Sequence, residues 1–271
     1  MPTEPGAAAH TERAGRSFTG AGSPRLAQIL EAAVRHLHAF ADEVGLTREE
    51  WRSGIDFLTA VGQKCTAERQ ELILLSDTLG LSMLLEFLDA APAGATESTV
   101  LGPFHVPGSP ARSFGDSIVD DPATGGEPLV LAGAVRDTAG HPIAGAEIDV
   151  WQVQPGGRYD IEEDGHKRNL RGVFTSRPDG TFRVVTVRPV DYTIADDGPV
   201  GELLRATGRG SWRPAHIHLA VSAPGFRRLV THVFDGASPK LLEDAVFGVR
   251  PSLVASMDGG ECRFDVVLAR S

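Results

Sequence analysis

The hydrophobic pattern of this chain changes period at Ala91-Pro92-Ala93-Gly94, and that change limits the fold more than any other feature. Before it the spacing is helical. Leu26, Ile29, Leu30, Val34, Leu37 and Phe40 recur every three or four residues, which puts them on one face of a helix. Ser23-Pro24 supplies the start, with proline in the first turn where no amide hydrogen is needed, and Gly45 the end. Thr47 and Glu50 have capping-box spacing, and Ile55, Leu58 and Val61 line a second helix. A third is expected from about Ala67 through Leu75, bending at Gly80 and continuing to Leu88.

After the hinge, Pro and Gly punctuate short runs rich in Val, Ile and Phe. Strands are expected over 129–135, 146–151, 172–176, 181–187, 216–222, 229–234 and 263–268. Pro178-Asp179-Gly180 reads as a hairpin turn, with Pro fixing φ and Gly admitting φ > 0, and Thr138-Ala139-Gly140 as another. Seven short strands joined by turns predict a β-sandwich. The expected fold is therefore mainly β: a disordered tail over 1–23, a helical segment over 24–92 and a sandwich over 93–271. The loop over 154–171 is long, polar and aperiodic, as functional loops often are.

Composition excludes some functions. Thirty-six acidic residues against 26 basic give a net charge of −10, without the basic excess of a nucleic-acid binder. No apolar run approaches the roughly 20 residues of a membrane span. The N-terminus lacks a basic-then-apolar leader, so a cytoplasmic protein is expected. Cys65 and Cys262 are far apart and read as reduced thiols.

The candidate chemistry starts at Arg213-Pro214-Ala215-His216-Ile217-His218. Alternate residues of a strand share a face, so His216 and His218 can hold one ion, with Ile217 packed behind. Alone, the pair also fits two surface histidines, and His232 on the next expected strand would complete a zinc site. The chain has 12 Phe but only two Tyr, Tyr159 in the long loop and Tyr192 after a strand. A phenol with a pKa of about 10 is a poor ligand for a divalent ion, whereas a hard trivalent cation can deprotonate it. Two phenolates and two neutral imidazoles would leave Fe3+ with a net charge of +1, suited to a dianionic chelating substrate. Each tyrosine alone reads first as a packed aromatic with one satisfied hydroxyl; the joint pattern of both with the histidine pair points to the metal.

Several motifs occur in one order: GIDFLTAVGQKC (54–65), RQELILLSDTLGLSML (69–84), ESTVLGPFHV (97–106), GHPIAGAEIDVWQVQPGGRYD (140–160), RPVDYTIADDGPVG (188–201), RPAHIHLAVSAPGF (213–226) and DAVFGV (244–249). From about Arg25 onward the chain resembles the intradiol ring-cleavage dioxygenases, and among them those acting on hydroxyquinol. That resemblance implies a β-sandwich with an N-terminal helical dimerisation segment. It implies one non-haem Fe(III) per subunit, held by Tyr159 and His216 equatorially and Tyr192 and His218 axially. Tyr192 would also act as a base toward the substrate, and Arg213 would stabilise anionic character on the ring.

By the same mapping, Asp77 faces the substrate ring, where a carboxylate can accept a hydrogen bond from a third hydroxyl. Leu74, Val100, Leu101, Gly102, Ile194, Ala195 and Val246 line the pocket, and His232 stands where catechol enzymes carry Gln. The chain departs from the family at Leu101, often Phe, at Ala195, often Pro, and at Lys240, often Tyr. The first two changes enlarge the pocket. The implied reaction takes an aromatic ortho-diol and O2 to a muconate-type diacid, with no organic cofactor. The implied partner is a second copy of the chain through residues 24–88, with lipid at that interface a family trait the sequence does not decide. Three alternatives stand beside this reading: a catechol or chlorocatechol enzyme, a non-enzymatic transthyretin-like β-sandwich, and a zinc hydrolase using His216, His218 and His232.

Overall fold

A computed structural model describes residues 6–66, 69–162 and 168–271. The chain divides into two compact units, Met1–Thr59 and Ala60–Ser271. The first holds α1 (Ala7–Arg16), α2 (Pro24–Glu43) and most of α3 (Arg48–Lys64). Ser23 caps α2 by accepting from the Leu26 amide at 3.2 Å, with Pro24 at the first helical position. The capping box at α3 is reciprocal: Thr47 N donates to Glu50 Oε2 at 2.9 Å and Glu50 N to Thr47 Oγ1 at 3.2 Å.

The tail expected to be disordered over 1–23 is instead helical in α1, while Met1 to Pro5 lie outside the described residues. Its alanines favour a helix without giving any apolar period. A ten-residue helix is marginal alone, and α2 supports this one. Thr11 Oγ1 hydrogen-bonds His38 Nδ1 at 2.8 Å, and the rings of His10 and His38 stack at 5.7 Å.

After the last turn of α3 the second unit continues with α4 (Glu71–Thr78) and α5 (Leu81–Leu88), separated by Gly80 in the left-handed region at φ 77. The expected start at Ala67 lies outside the described residues. The units part at Thr59, not at residue 92, because these two helices pack with sandwich residues: Met83 clusters with Val100 and Val246. The strands are β1 (Pro128–Asp137), β2 (Glu147–Gln152), β3 (Arg171–Thr175), β4 (Thr181–Val187) and β5 (Tyr192–Thr193). After α6 (Pro199–Ala206) come β6 (Trp212–Arg213), β7 (His216–Ser222), β8 (Leu229–Asp235), β9 (Val254–Ala255), β10 (Glu261–Arg263) and β11 (Val266–Leu268).

One sheet runs β3-β2-β7-β8-β9. The other is built on β1, with β4 antiparallel on one side and β10 and β11 parallel in succession on the other. The core lies between them. Leu131 and Val135 of β1 and Val184 of β4 join Ile148 of β2, Ile217 and Leu219 of β7 and Val233 of β8 in one buried cluster. The fold is mainly β, as the turn-punctuated runs predicted.

Both expected hairpin turns close a short antiparallel pair, but neither joins two strands of one sheet. Gly180 has φ 80, its amide donates to Arg177 O at 2.8 Å and Arg177 N to Thr181 O at 2.9 Å, yet β3 and β4 lie in different sheets. Gly140 has φ 85, Asp137 N donates to His141 O at 2.9 Å and Arg136 pairs antiparallel with Pro142, while β2 again lies in the opposite sheet. Turn residues dictate a chain reversal; the face that must be buried dictates the partner.

The strand expected over 263–268 is interrupted at Phe264-Asp265. There Phe264 N donates to Ala132 O at 3.0 Å and Asp265 Oδ1 accepts from Ala134 N at 2.8 Å. Gly133 makes this possible, since a Cβ would sit 1.9 Å from Phe264 O. Gly133→Ala is expected to destabilise the protein by about 3 kcal/mol or more, read as a lower urea midpoint, because backbone must move.

Candidate metal centre

The alternation that fills the core also turns His216, His218 and Ala220 of β7 to the outer face of the five-stranded sheet. In many antiparallel sheets that face is wet. Here His216, His218 and His232 are at most 2% exposed. Strand register sets a row across it: His218 pairs with Trp151 of β2 on one side and His232 of β8 on the other. Trp151 stacks on His218 at 4.6 Å and 12°, which fixes the plane of the imidazole.

The tyrosines arrive from two loops. Tyr192 opens β5 and pairs with Arg213 of β6, so a two-residue ribbon sets phenol and guanidinium side by side. Tyr159 follows β2 through a turn in which Gly157, at φ 79, donates to Gln154 O at 2.8 Å. A buried ion pair between Asp160 and Arg171, 2.6 Å, ties this loop to β3. The Tyr159 ring rests on Phe104 at 4.7 Å.

Four donor atoms converge. Tyr159 Oη lies 3.0 Å from Tyr192 Oη and 2.9 Å from His218 Nε2, and His218 Nε2 lies 3.1 Å from His216 Nε2. Atoms about 2.1 Å from a shared ion and near right angles to each other would be roughly 3 Å apart. His216 Nδ1 donates to Pro214 O at 2.6 Å, which directs its Nε2 lone pair inward. His218 Nδ1 has no hydrogen-bond partner among the described residues. Either tautomer of His218 is therefore deficient. With the proton on Nδ1, that N–H has no acceptor and the Nε2 lone pairs of His216 and His218 face each other; with it on Nε2, a buried Nδ1 lone pair is unsatisfied. A shared cation would relieve the facing lone pairs.

His216, His218 and His232 also offer ligand atoms within 4.8 Å of one another. That triad is looser than the set containing the phenols. His232 Nδ1 is already engaged by Thr99 Oγ1, leaving its Nε2 without a partner among the described residues.

The electrostatics suit a donor set for a highly charged ion. Burial, reinforced by Arg213, holds His216 well below the usual imidazole range; burial and the neighbouring histidines do the same to His218. Burial, and for Tyr159 also its neighbour Tyr192, raises both phenols. With no cation the phenols favour their protonated forms, and a highly charged ion bound there would favour the phenolates instead. Arg213 is 3% exposed and donates through Nε to Asp244 Oδ1 at 3.2 Å, while its Nη2 has no partner among the described residues. Burial opposes its charge, but Asp244 and the two phenols outweigh that and raise its pKa.

Asp77 on α4 is 1% exposed with Oδ1 unpartnered. Burial raises its pKa to about 6, against the lowering influence of Ser82 and Arg213. Leu74 is buried on the same helix, Val100 and Val246 belong to the Met83 cluster, and Gly102 backs onto His218, where a Cβ would lie 3.5 Å from Cε1. Buried Ile194 and half-buried Ala195 line a cavity of about 450 Å3 with Phe104, Gly157 and Thr193. Leu101 is 38% exposed and contributes least to enclosure.

Asp244, Trp151, Thr99 and the Asp160–Arg171 pair were not singled out from sequence. Asp244 sits in the DAVFGV motif and Asp160 beside Tyr159, but their partners lie far along the chain.

Comparison with known proteins gives a consistent set of relatives. Residues 23–96 match the family model described as "Catechol dioxygenase N terminus", and residues 100–269 the one described as "Dioxygenase". The chain is 51% identical over 232 residues to 6-chlorohydroxyquinol 1,2-dioxygenase of Cupriavidus pinatubonensis, covering 85% of this chain and 83% of the relative. It is 50% identical to hydroxyquinol 1,2-dioxygenase of a Rhizobium species, covering 86% and 79%. The crystal structure of hydroxyquinol 1,2-dioxygenase from Pseudomonas putida DLL-E4 superposes with a TM-score of 0.88 at 43% identity, covering 98% of this chain and 99% of that one.

Proposed function

The chain belongs to the intradiol ring-cleavage dioxygenases, and on that premise we propose that it cleaves hydroxyquinol (1,2,4-trihydroxybenzene) with O2 to 3-hydroxy-cis,cis-muconate, the enol form of maleylacetate. The observation that carries the proposal is the buried convergence of Tyr159, Tyr192, His216 and His218 at 2.9–3.1 Å. These four would hold one non-haem Fe(III) per subunit. The ion, when bound, supplies Lewis acidity that draws electron density from the chelated diol and opens its ring to O2.

The chain's own groups do the rest. Tyr192, as phenolate, accepts a proton from the incoming diol. Arg213, held by Asp244 and with Nη2 free to donate, stabilises anionic oxygen beside Tyr192. Asp77 accepts a hydrogen bond from the third hydroxyl through the oxygen that has no other partner. Leu74, Val100, Ile194 and Val246 exclude water from the ring, and His232 faces the bound substrate with its unpartnered Nε2. Leu101 and Ala195 leave room for a ring substituent, so a chlorinated hydroxyquinol belongs among the assayed substrates. Metal analysis tests the proposal: near one iron per chain with a visible tyrosinate band supports it, and a colourless protein with stoichiometric zinc refutes it.

The same reading makes the functional unit a homodimer through residues 24–88. Leu26, Ile29, Leu37 and Phe40 of α2 are each at least 45% exposed in the single chain. A stripe of that kind marks an interaction surface. Leu37→Lys with Phe40→Lys is expected to shift the sedimentation coefficient from dimer to monomer, and solvent extraction of the wild-type dimer tests for lipid. Among the described residues no helix is long and apolar enough to cross a membrane. The cytoplasmic location is part of the proposal, and Cys65 and Cys262 are both free thiols.

A further inference from the structure

Helix α6 is fastened to α4 at both ends. It fills the excursion between β5 and β6, so it hangs from the two strands that carry Tyr192 and Arg213. At its start the Val200 amide donates to the buried Glu71 carboxylate at 3.3 Å, in the first turn of α4. At its end Gly208 takes φ 68 and the Arg209 amide donates back to Leu204 O at 2.9 Å, a glycine stop that delivers Arg209 to the far end of α4.

There the guanidinium bridges two segments. Nη1 donates to Thr78 O at 2.6 Å and Nη2 to Ala245 O at 3.1 Å. Thr78 O is one of the carbonyls a helix end leaves unpaired, and it directly follows Asp77. Ala245 directly follows Asp244, which holds Arg213, and precedes Val246. The Phe247 ring covers the guanidinium at 5.0 Å and lies alongside Gly80. Phe247 adopts φ 59, a left-handed backbone that a bulky residue takes only where its surroundings hold it. Arg209, Thr78, Ala245 and Phe247 are not among the groups proposed above to hold the ion or the diol.

We propose that Arg209 is a positioning residue for substrate discrimination: by joining Thr78 to Ala245 it fixes the Asp77 carboxylate relative to the Arg213–Asp244 pair, and so sets the preference for a diol ring bearing a further hydroxyl. This rests on the role given to Asp77 above. A hydrogen bond to a carboxylate depends steeply on distance and angle, so a loosened α4 end weakens it while leaving a bare ortho-diol little affected.

The test is steady-state kcat and KM for hydroxyquinol and catechol in the iron-loaded protein and in Arg209→Met, Arg209→Lys, Asp77→Asn and the Arg209→Met/Asp77→Asn double variant. Arg209→Met is expected to raise KM for hydroxyquinol about tenfold, with kcat and the catechol constants within about twofold. Arg209→Lys, which keeps one donor, recovers part of the loss and carries the comparison if the Met variant does not fold. In the Asp77→Asn background, Arg209→Met leaves the substrate ratio unchanged. Equal losses on both substrates, or a ratio that shifts again in the double variant, overturns the proposal. If Asp77→Asn itself leaves the ratio unmoved, the role of Asp77 falls first. If it moves the ratio and Arg209→Met does not, only the role of Arg209 falls.

Discussion

Tyr159→Phe is expected to abolish most of the visible colour of the iron-loaded protein and to lower turnover of hydroxyquinol by more than the roughly 100-fold typical of losing an outer-shell partner of a metal site. The substitution is conservative in packing. The ring keeps its seat on Phe104 at 4.7 Å, and the anchor between Asp160 and Arg171 is untouched. Only Oη goes, and with it the 2.9 Å contact to His218 and the 3.0 Å contact to Tyr192. Because the chain has two tyrosines, any remaining tyrosinate band belongs to Tyr192. Thermal stability should stay near that of wild type while absorbance and turnover fall together. A variant that keeps both full absorbance and activity would remove Tyr159 from the proposed ligand set.

The second large effect is at Asp77. Asp77→Asn keeps the shape but removes the negative acceptor. A hydrogen bond to a charged group contributes about 1.5–3 kcal/mol, so kcat/KM for hydroxyquinol should fall roughly 10- to 150-fold, and that for catechol much less. Stability should move the other way. Burial lifts the Asp77 pKa from 3.8 to about 6; Asp244 adds to that, while Ser82 and Arg213 oppose it. A carboxyl with a raised folded-state pKa is neutral in both states only well below its unfolded-state value of 3.8, and carries no penalty there. As pH rises from about 3 to 6 the unfolded chain ionises first, and a penalty of up to about 3 kcal/mol builds and then stays constant. Asp77→Asn should therefore raise the urea midpoint most at pH 8, with the gain shrinking toward nothing as pH falls to about 3. A buried acid that costs stability is what a substrate-reading group looks like.

How much of this was legible in the sequence depends on the range of the interaction. Strong alternation located β4 and β7 to the residue, and the same alternation put His216 and His218 on one face. The capping pair Thr47 and Glu50 and the break at Gly80 are local, and both appear as expected. What depends on distant partners was hidden. β5 and β6 have two residues each and exist because Tyr192 and Arg213 pair across an 18-residue excursion containing α6. That helix has a proline near its start and a glycine at its end, but its segment carries no long apolar period. The Arg213–Asp244 pair spans 31 positions, and the Arg209 bridge to Thr78 spans 131. The turns at Gly140 and Gly180 were readable as turns, whereas which sheet the chain enters next is decided by core packing.

The most direct measurement is mass spectrometry of the product formed from hydroxyquinol by the iron-loaded protein under 18O2. The ring should open between the two adjacent hydroxyl-bearing carbons, with both atoms of one O2 molecule incorporated. A ring opened beside that pair of carbons, or no label in the product, would contradict intradiol cleavage.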